Sequence, residues 1–209
     1  MSEPVDELLN VYDEAGRVVG ARPRKEAKAA GLAVGAVNVL LVNAAGELLM
    51  QRRPADKENG GRWDKSVGGH VGAGEDFDQA AVRETGEELF DDPRSARVRL
   101  AGSEAEFKSL AGSTDLGDNV LFRRAGLQLG LRDVRVAPGG GIRNVVYHIA
   151  IYIGRTDVPS PRSRPRNRRS TSCATWPRAR STPCSWPPSS RPTWPSSGSP
   201  RACAWYRTG

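Results

Sequence analysis

Apolar and polar positions along the first 158 residues alternate in short blocks, which predicts strands joined by turns with a few helices between them. The blocks Leu8–Tyr12 and Val18–Ala21 flank Asp13-Glu14-Ala15-Gly16, a pattern that predicts a hairpin with a glycine-containing turn. Further strands are predicted at Ala36–Val42, Glu47–Gln51, Val98–Ala101 and Asn144–Ile153.

Helical patterns occupy two places. Lys25–Ala30 predicts a short helix that Gly31 ends, and Phe77–Leu89 predicts a longer one with Asp76 as its N-cap. The glycine-rich stretch Trp63–Val71 reads as extended, and residues 102–141 give no clear pattern. Mixed strands around a few helices predict an α/β domain built in layers.

Charge divides the chain into two parts. The net charge of +7 alone favours a nucleic-acid binder, but all 24 acidic residues lie at or before Asp157. Residues 1–158 carry 21 Lys and Arg, hence −3, whereas residues 159–209 carry ten Arg and no acid, hence +10. We therefore predict a domain over residues 1–158 followed by a basic tail over 159–209, and nucleic acid is not the expected partner.

Segments that would direct the chain to a membrane are not apparent. The N-terminus lacks a basic stretch followed by an apolar one, and the longest apolar run, Leu32–Val42, is too short to span a bilayer. All three cysteines lie in the tail, so the predicted domain contains none. These features favour a cytoplasmic protein without a membrane partner, and the oligomeric state stays open, with a homodimer among the alternatives.

The stretch Gly69–Glu88 carries the candidate chemistry. Glu84, Glu87 and Glu88 stand at i, i+3 and i+4, which places three carboxylates on one helical face. Three like charges repel one another, and Mg²⁺ is the hard cation that such oxygen ligands suit. Taken alone, the same spacing also fits a solvated acidic face, but an upstream glycine loop, Glu75 and Arg83 favour a metal site, in which Arg83 orients a glutamate.

This segment resembles the Nudix box: Gly69, five residues, Glu75, seven residues, Arg83-Glu84, two residues, Glu87-Glu88. The resemblance implies an α/β/α sandwich with a mixed sheet and a diphosphate-cleaving hydrolase. It implies that Mg²⁺, with Mn²⁺ as the alternative, is held by Glu84, Glu87 and Glu88, with Glu75 and the backbone of Gly69 in support.

Two residues depart from the box. Thr85 stands where the family has an aliphatic residue, a mild change on the buried face. Phe90 replaces the glycine at the helix end, so we expect the helix to end without the usual left-handed cap.

Flanking residues are similar to the branch of isopentenyl-diphosphate isomerases over about Leu8–Phe90 and, more weakly, Asn144–Asp157. The resemblance implies that Arg53 and Lys57 contact the substrate diphosphate, although both also fit an ordinary basic loop. Isomerase chemistry needs a cysteine where Gly68 stands and several metal-bound histidines, of which only His70 remains.

We therefore expect water to attack phosphorus in a nucleoside-diphosphate-type or related small molecule, with Glu84 as the candidate base and Glu104 or Glu106 as alternatives. An isoprenoid-diphosphate isomerase is the second hypothesis. A nucleic-acid binder that uses the basic, Trp-containing tail is the third.

The tail has an unusual composition. After Val158 the chain has no Leu, Ile, Val, Phe, Met, Asp, Glu or Lys, yet it holds four of the five tryptophans. Such a segment cannot form a core, and disorder is its usual interpretation. Disordered segments seldom combine tryptophan and cysteine with a lack of every acid, so we favour out-of-frame sequence, with a genuine basic tail as the alternative. In another frame, residues 169–198 back-translate to a string typical of a strand and an amphipathic helix. Sequencing the gene decides between the two.

Overall fold

The computed structural model describes residues 6–113, 116–136, 139–158 and 205–207. The strands are β1 Leu8–Tyr12, β2 Val18–Pro23, β3 Ala33–Val42, β4 Glu47–Leu49, β5 Gln51–Arg52, β6 Trp63–Asp64, β7 Val67–His70, β8 Val98–Ala101, β9 Val120–Val136, β10 Ile142–Thr156 and β11 Trp205–Arg207. The helices are α1 Arg24–Ala29, α2 Phe77–Phe90 and α3 Glu104–Ser113.

The main sheet is mixed and centres on β3 and β10. These two strands pair in parallel, with Val146 opposite Ala33 and Arg155 opposite Val42. β9 pairs antiparallel with β10, and the order along the sheet is β11-β4-β3-β10-β9-β8. β1 and β7 also pair with β3, so β3 brings the glycine-rich strand β7 beside the centre of the sheet.

The two faces of the sheet pack against different helices. On one face, Val34 and Tyr147 share a core with Ala27 of α1. On the other, Val37 and Val39 share a core with α2. Because successive strand side chains point to opposite faces, the continuous apolar run of β3 fills both cores. The predicted α/β/α sandwich with a mixed sheet is confirmed.

Residues 102–141, which showed no clear sequence pattern, contain α3 and the 17-residue strand β9. Leu127, Leu129 and Leu131 do alternate along β9, but each is more than a third exposed. The strand therefore runs beyond the core as part of a long hairpin with β10. These leucines recur at every second position, but Gly and Arg residues surround them and the core does not bury them. The pattern was therefore too weak to predict the strand.

The helix α2 begins as expected and ends differently from expectation. Asp76 accepts a hydrogen bond from the Gln79 backbone N–H, and Gln79 returns one to the Asp76 N–H, forming a capping box. The expected loss of a left-handed cap is wrong, because Asp91 adopts φ 58° at the C-cap. Aspartate tolerates this conformation better than most residues, so the helix needs no glycine at position 90.

The structure describes the chain up to residue 158, where the predicted domain ends, whereas most of the basic tail, residues 159–204 and 208–209, lies outside the described residues. The backbone of residues 205–207 forms β11, which pairs antiparallel with β4. No helix in the described part of the chain is long and apolar enough to cross a membrane.

Candidate active site

A broad open cleft of about 1390 Å³ runs along one side of the sheet. The three box glutamates line it from α2, and the glycines of β7 form part of its floor. Lysine and arginine side chains of α1 and β9 line it as well. The cleft therefore has carboxylates and cations on different structural elements.

Arg83 is the hub of the acidic side. Its Nε and Nη2 donate to the two carboxylate oxygens of Glu75 at 2.7 and 2.9 Å. Its Nη1 donates to Glu84 at 2.9 Å and lies 3.5 Å from Glu87, and Nη2 also donates to the carbonyl of His70 at 3.0 Å. The predicted orienting role thus involves three glutamates, and the bidentate partner is Glu75.

Glu75 is held in place by the loop that precedes α2. Its Oε2 accepts a hydrogen bond from the Gly72 N–H at 3.0 Å, and its own carbonyl accepts one from the Asn10 side chain at 2.8 Å. Asn10 lies on β1, is buried, and also accepts from the Gly74 N–H. Sequence reasoning missed Asn10, whose only signal is a polar residue at an inward position of an apolar strand.

Glu84 lies against the backbone of Gly69, where an added Cβ would fall on the carboxylate. Burial raises the pKa of Glu84, and the neighbouring Arg83 opposes that rise. Gly69 thus lets the helix carboxylate approach the strand, which is a physical reason for glycine at this point of the box.

Glu88 is a half-buried carboxylate of the box. Its Oε2 accepts a hydrogen bond from the Gln51 side chain at 3.2 Å. Burial raises its pKa to about 8, and the negative charge of Glu84 acts in the same direction. Lys65, the Gly68 N–H and Gln51 partly offset these two effects. Sequence reasoning also missed Gln51. It is the first residue of β5 and contacts Glu88 from a strand that is distant in sequence.

The glutamates are not already gathered as a complete ligand set. Within the described ranges, no three His, Cys, Asp or Glu side chains are arranged to hold one metal ion. Glu87 is 44 % exposed and turned toward Arg83, and Glu75 is bound by the same guanidinium. Glu84, which Arg83 also contacts, and Glu88 are half-buried carboxylates that repel each other, which is the environment that a divalent cation relieves.

The two predicted phosphate contacts also line the cleft. Arg53 binds Asp64 at 2.8 Å and the Glu58 carbonyl at 2.7 Å, which fixes its guanidinium. Lys57 is exposed in the loop between β5 and β6.

The alternative bases lie on another element. Glu104, on α3, pairs with Lys108 at 2.8 Å and with Arg123 of β9 at 3.5 Å, and Glu106 accepts a hydrogen bond from the Gly102 N–H. Helix α3 packs against β8 and β9. The contacts of both carboxylates therefore differ from those of the box glutamates.

Arg83, the capped helix α2 and the glycine-rich strand β7 all lie in a stretch that matches a protein-family model. Residues 33–125 match the family model described as the NUDIX domain. The resemblance expected from the box is confirmed by this match.

Curated relatives support the same family. An uncharacterized Nudix hydrolase of Pseudomonas aeruginosa is 44% identical over 84 residues, covering 40% of this chain and 50% of the relative. One from Streptomyces coelicolor is 45% identical, covering 40% and 47%. An isopentenyl-diphosphate Delta-isomerase of Nocardia farcinica is 40% identical, covering 39% and 47%. The chain thus matches about half the length of these relatives. A crystal structure of a Deinococcus radiodurans protein covers 73% of this chain and 74% of that chain, with 23% identity and a TM-score of 0.47.

Proposed function

We propose that this protein is a magnesium-dependent hydrolase that cleaves a diphosphate linkage in a nucleoside-diphosphate-type or related small molecule. The observation that carries the proposal is the approach of two half-buried carboxylates, Glu84 and Glu88, to the Gly68–Gly69 backbone on the floor of an open cleft. Arg83 holds the neighbouring carboxylates beside them.

The donor set fits a hard divalent cation. Glu84, Glu87 and Glu88 would hold Mg²⁺, or Mn²⁺ in its place, together with the backbone of Gly69. Glu75 supports them by fixing Arg83, and it becomes a ligand itself only if it gives up one of its hydrogen bonds to that guanidinium. When bound, the ion neutralises charge on the diphosphate oxygens and lowers the pKa of water.

The chain's own residues then have distinct tasks. Glu84 accepts the proton of the attacking water while the new oxygen–phosphorus bond forms. The bond from phosphorus to the bridging oxygen breaks, and its electron pair leaves with the departing phosphate. Arg83 keeps Glu84 oriented through its 2.9 Å hydrogen bond. Arg53 and Lys57 contact the phosphates, and the salt bridge to Asp64 pre-orders the first of them.

The test is release of phosphate or mononucleotide with Mg²⁺ across nucleotide sugars, dinucleotides, nucleoside triphosphates and isoprenoid diphosphates. Parent protein and Glu88→Gln are compared, with Glu14→Gln, a turn residue, as the matched control. We expect the parent to cleave one class and Glu88→Gln to be slower by at least about a hundredfold. Equal rates for parent and Glu88→Gln would overturn the proposed site.

The base is tested separately. Glu84→Gln should lower kcat by at least about a hundredfold. Glu104→Gln, which removes a carboxylate of α3, should leave kcat unchanged. The reverse pattern would assign proton transfer to α3.

A second candidate is isomerisation of an isoprenoid diphosphate, which is favoured by the similarity to proteins named as isopentenyl-diphosphate isomerases. Gly68 disfavours it, because glycine has no side chain to transfer a proton. Product analysis separates the two reactions: an isomerase leaves the diphosphate intact, whereas a hydrolase releases phosphate.

A further inference from the structure

Lys28, on α1, is an unusual lysine in the cleft. It is only 9 % exposed, and its Nζ lies 5.7 Å from the centre of the Tyr147 ring. Among the described residues no carboxylate comes within ion-pair distance of it. A buried ammonium is costly unless an opposite charge or hydrogen-bond acceptors compensate it, and one aromatic face does so only in part.

Arg135, on β9, approaches the same ring from another element. Its guanidinium carbon lies 5.5 Å from the centre of Tyr147. One terminal nitrogen binds Asp133 at 2.6 Å, but Nε is buried and has no hydrogen-bond partner within the described ranges. Two cationic groups with unused bonding capacity therefore meet at one aromatic side chain.

Charge near these residues agrees with the geometry. Burial lowers the pKa of Lys28 to about 8, and the positive charges of Arg24 and Arg135 act in the same direction. Glu58 and Glu7 oppose the shift without cancelling it. Arg24 itself has a partner, since it lies 3.5 Å from Glu7. Among these cations Lys28 therefore lacks an ion-pair partner within the described residues, whereas Arg135 has Asp133 for its terminal nitrogen and a buried Nε without an acceptor.

We propose that Lys28 and Arg135 form an anion subsite that binds a second anionic group of the substrate, a phosphoryl or carboxylate group distinct from the diphosphate that is cleaved. This rests on the proposed function, which assigns the diphosphate to the carboxylate side of the same cleft. Both residues line that cleft together with Glu84 and Glu88. Its volume of about 1390 Å³ leaves room for a substrate that reaches both sides.

The subsite also narrows the substrate class. An anion at Tyr147 would give Lys28 the counter-charge that it lacks, and the buried Nε of Arg135 an acceptor. A diphosphate with a purely apolar tail would provide neither the counter-charge for Lys28 nor the acceptor for Arg135. We therefore expect diphosphate compounds with a further phosphate or carboxylate to be preferred over isoprenoid diphosphates.

Metal-free binding tests the subsite independently of catalysis. The full chain in EDTA is titrated with inorganic phosphate and, in a second arm, with succinate. Binding is followed by calorimetry. We expect Lys28→Met, which keeps an unbranched side chain over Tyr147, to weaken binding at least about tenfold, and Lys28→Arg to retain it. Lys108→Met removes an exposed lysine of α3 and serves as the matched control.

The outcomes separate the two proposals. Phosphate or succinate binding that depends on Lys28 but not on Glu88 supports the subsite even if no substrate is cleaved. The arm that binds identifies the group. Equal affinity in the parent and Lys28→Met, or no binding of either anion to the parent, would overturn the subsite and leave the hydrolase proposal standing. With an active enzyme, Lys28→Met should also reduce the preference for a substrate with an extra phosphomonoester over its dephosphorylated form.

Discussion

Arg83 and Glu75 form a two-pronged ion pair across the loop that leads into α2, with N–O distances of 2.7 and 2.9 Å. The pair joins the first glutamate of the box to the helix that carries the other three. Because Arg83 also contacts Glu84 and the His70 carbonyl, the loop, the strand β7 and α2 meet at one guanidinium. The box is therefore a structural unit as well as a source of carboxylates.

Replacing Arg83 with lysine should weaken this unit. A lysine cannot make the two parallel hydrogen bonds to Glu75, so we expect the free energy of unfolding to fall by about 1–3 kcal/mol. We also expect kcat to fall at least about tenfold, because Glu84 loses its orientation. Urea denaturation and steady-state kinetics measure the two effects. Arg99→Lys, at an exposed pair with Glu106, should change stability by less than about 0.5 kcal/mol.

Added Mg²⁺ should stabilise the parent and not Glu88→Gln. A ligand that binds only the folded state at a hundredfold excess over Kd adds about 2.7 kcal/mol, which corresponds to a rise of a few degrees in Tm. In EDTA, Glu88→Gln should be no less stable than the parent, because the substitution removes a carboxylate whose burial is unfavourable. Equal Mg²⁺-dependent shifts in both proteins would contradict the assignment of Glu88 as a ligand.

The capping box of α2 gives a prediction about stability alone. Asp76→Ala removes the acceptor for the Gln79 N–H and should lower the free energy of unfolding by about 1 kcal/mol. Asp76→Asn keeps an acceptor and should cost much less. Chemical denaturation of the three proteins checks this. An equal loss in both variants would mean that the charge of Asp76, rather than its hydrogen bond, stabilises the helix.

Lys28 predicts an unusual pH dependence. Its pKa falls from 10.5 to about 8 on folding, so between these pH values the unfolded chain holds a proton that the folded chain has lost. The free energy of unfolding contributed by Lys28 therefore rises with pH across that window. Below it, the charged lysine disfavours the folded state. Lys28→Met should thus be more stable than the parent at pH 7, by up to about 3 kcal/mol.

The difference between parent and Lys28→Met should narrow as pH rises from 8 toward 10.5. Arg24, Arg135, Glu7 and Glu58 act on Lys28, but they are present in both proteins. Tyr147 also faces Lys28, but it is present in both proteins. Denaturation curves at several pH values measure the difference. A gap that stays constant with pH would show that Lys28 has an ordinary pKa.

Local spacing was sufficient to predict the central elements of the site. The capping signal at Asp76, the i, i+3, i+4 glutamates and the β-branched run of β3 depend on helix and strand periodicity, which nearby residues determine. The layered α/β fold followed from the order of these patterns. No element could be predicted for residues 102–141. The reason is that β9 extends into solvent, where its alternating apolar residues are not buried.

Tertiary structure alone decided which charges are paired and which are buried. Asn10 reaches the Glu75 loop across 65 positions of sequence, and Gln51 reaches Glu88 across 37. Lys28 and Arg135 meet at Tyr147 of β10 because α1 packs against β10 and β9 pairs with β10. The sequence by itself determined the residue types and their local spacing. Their burial and partners arise from contacts between distant segments, which no local period encodes.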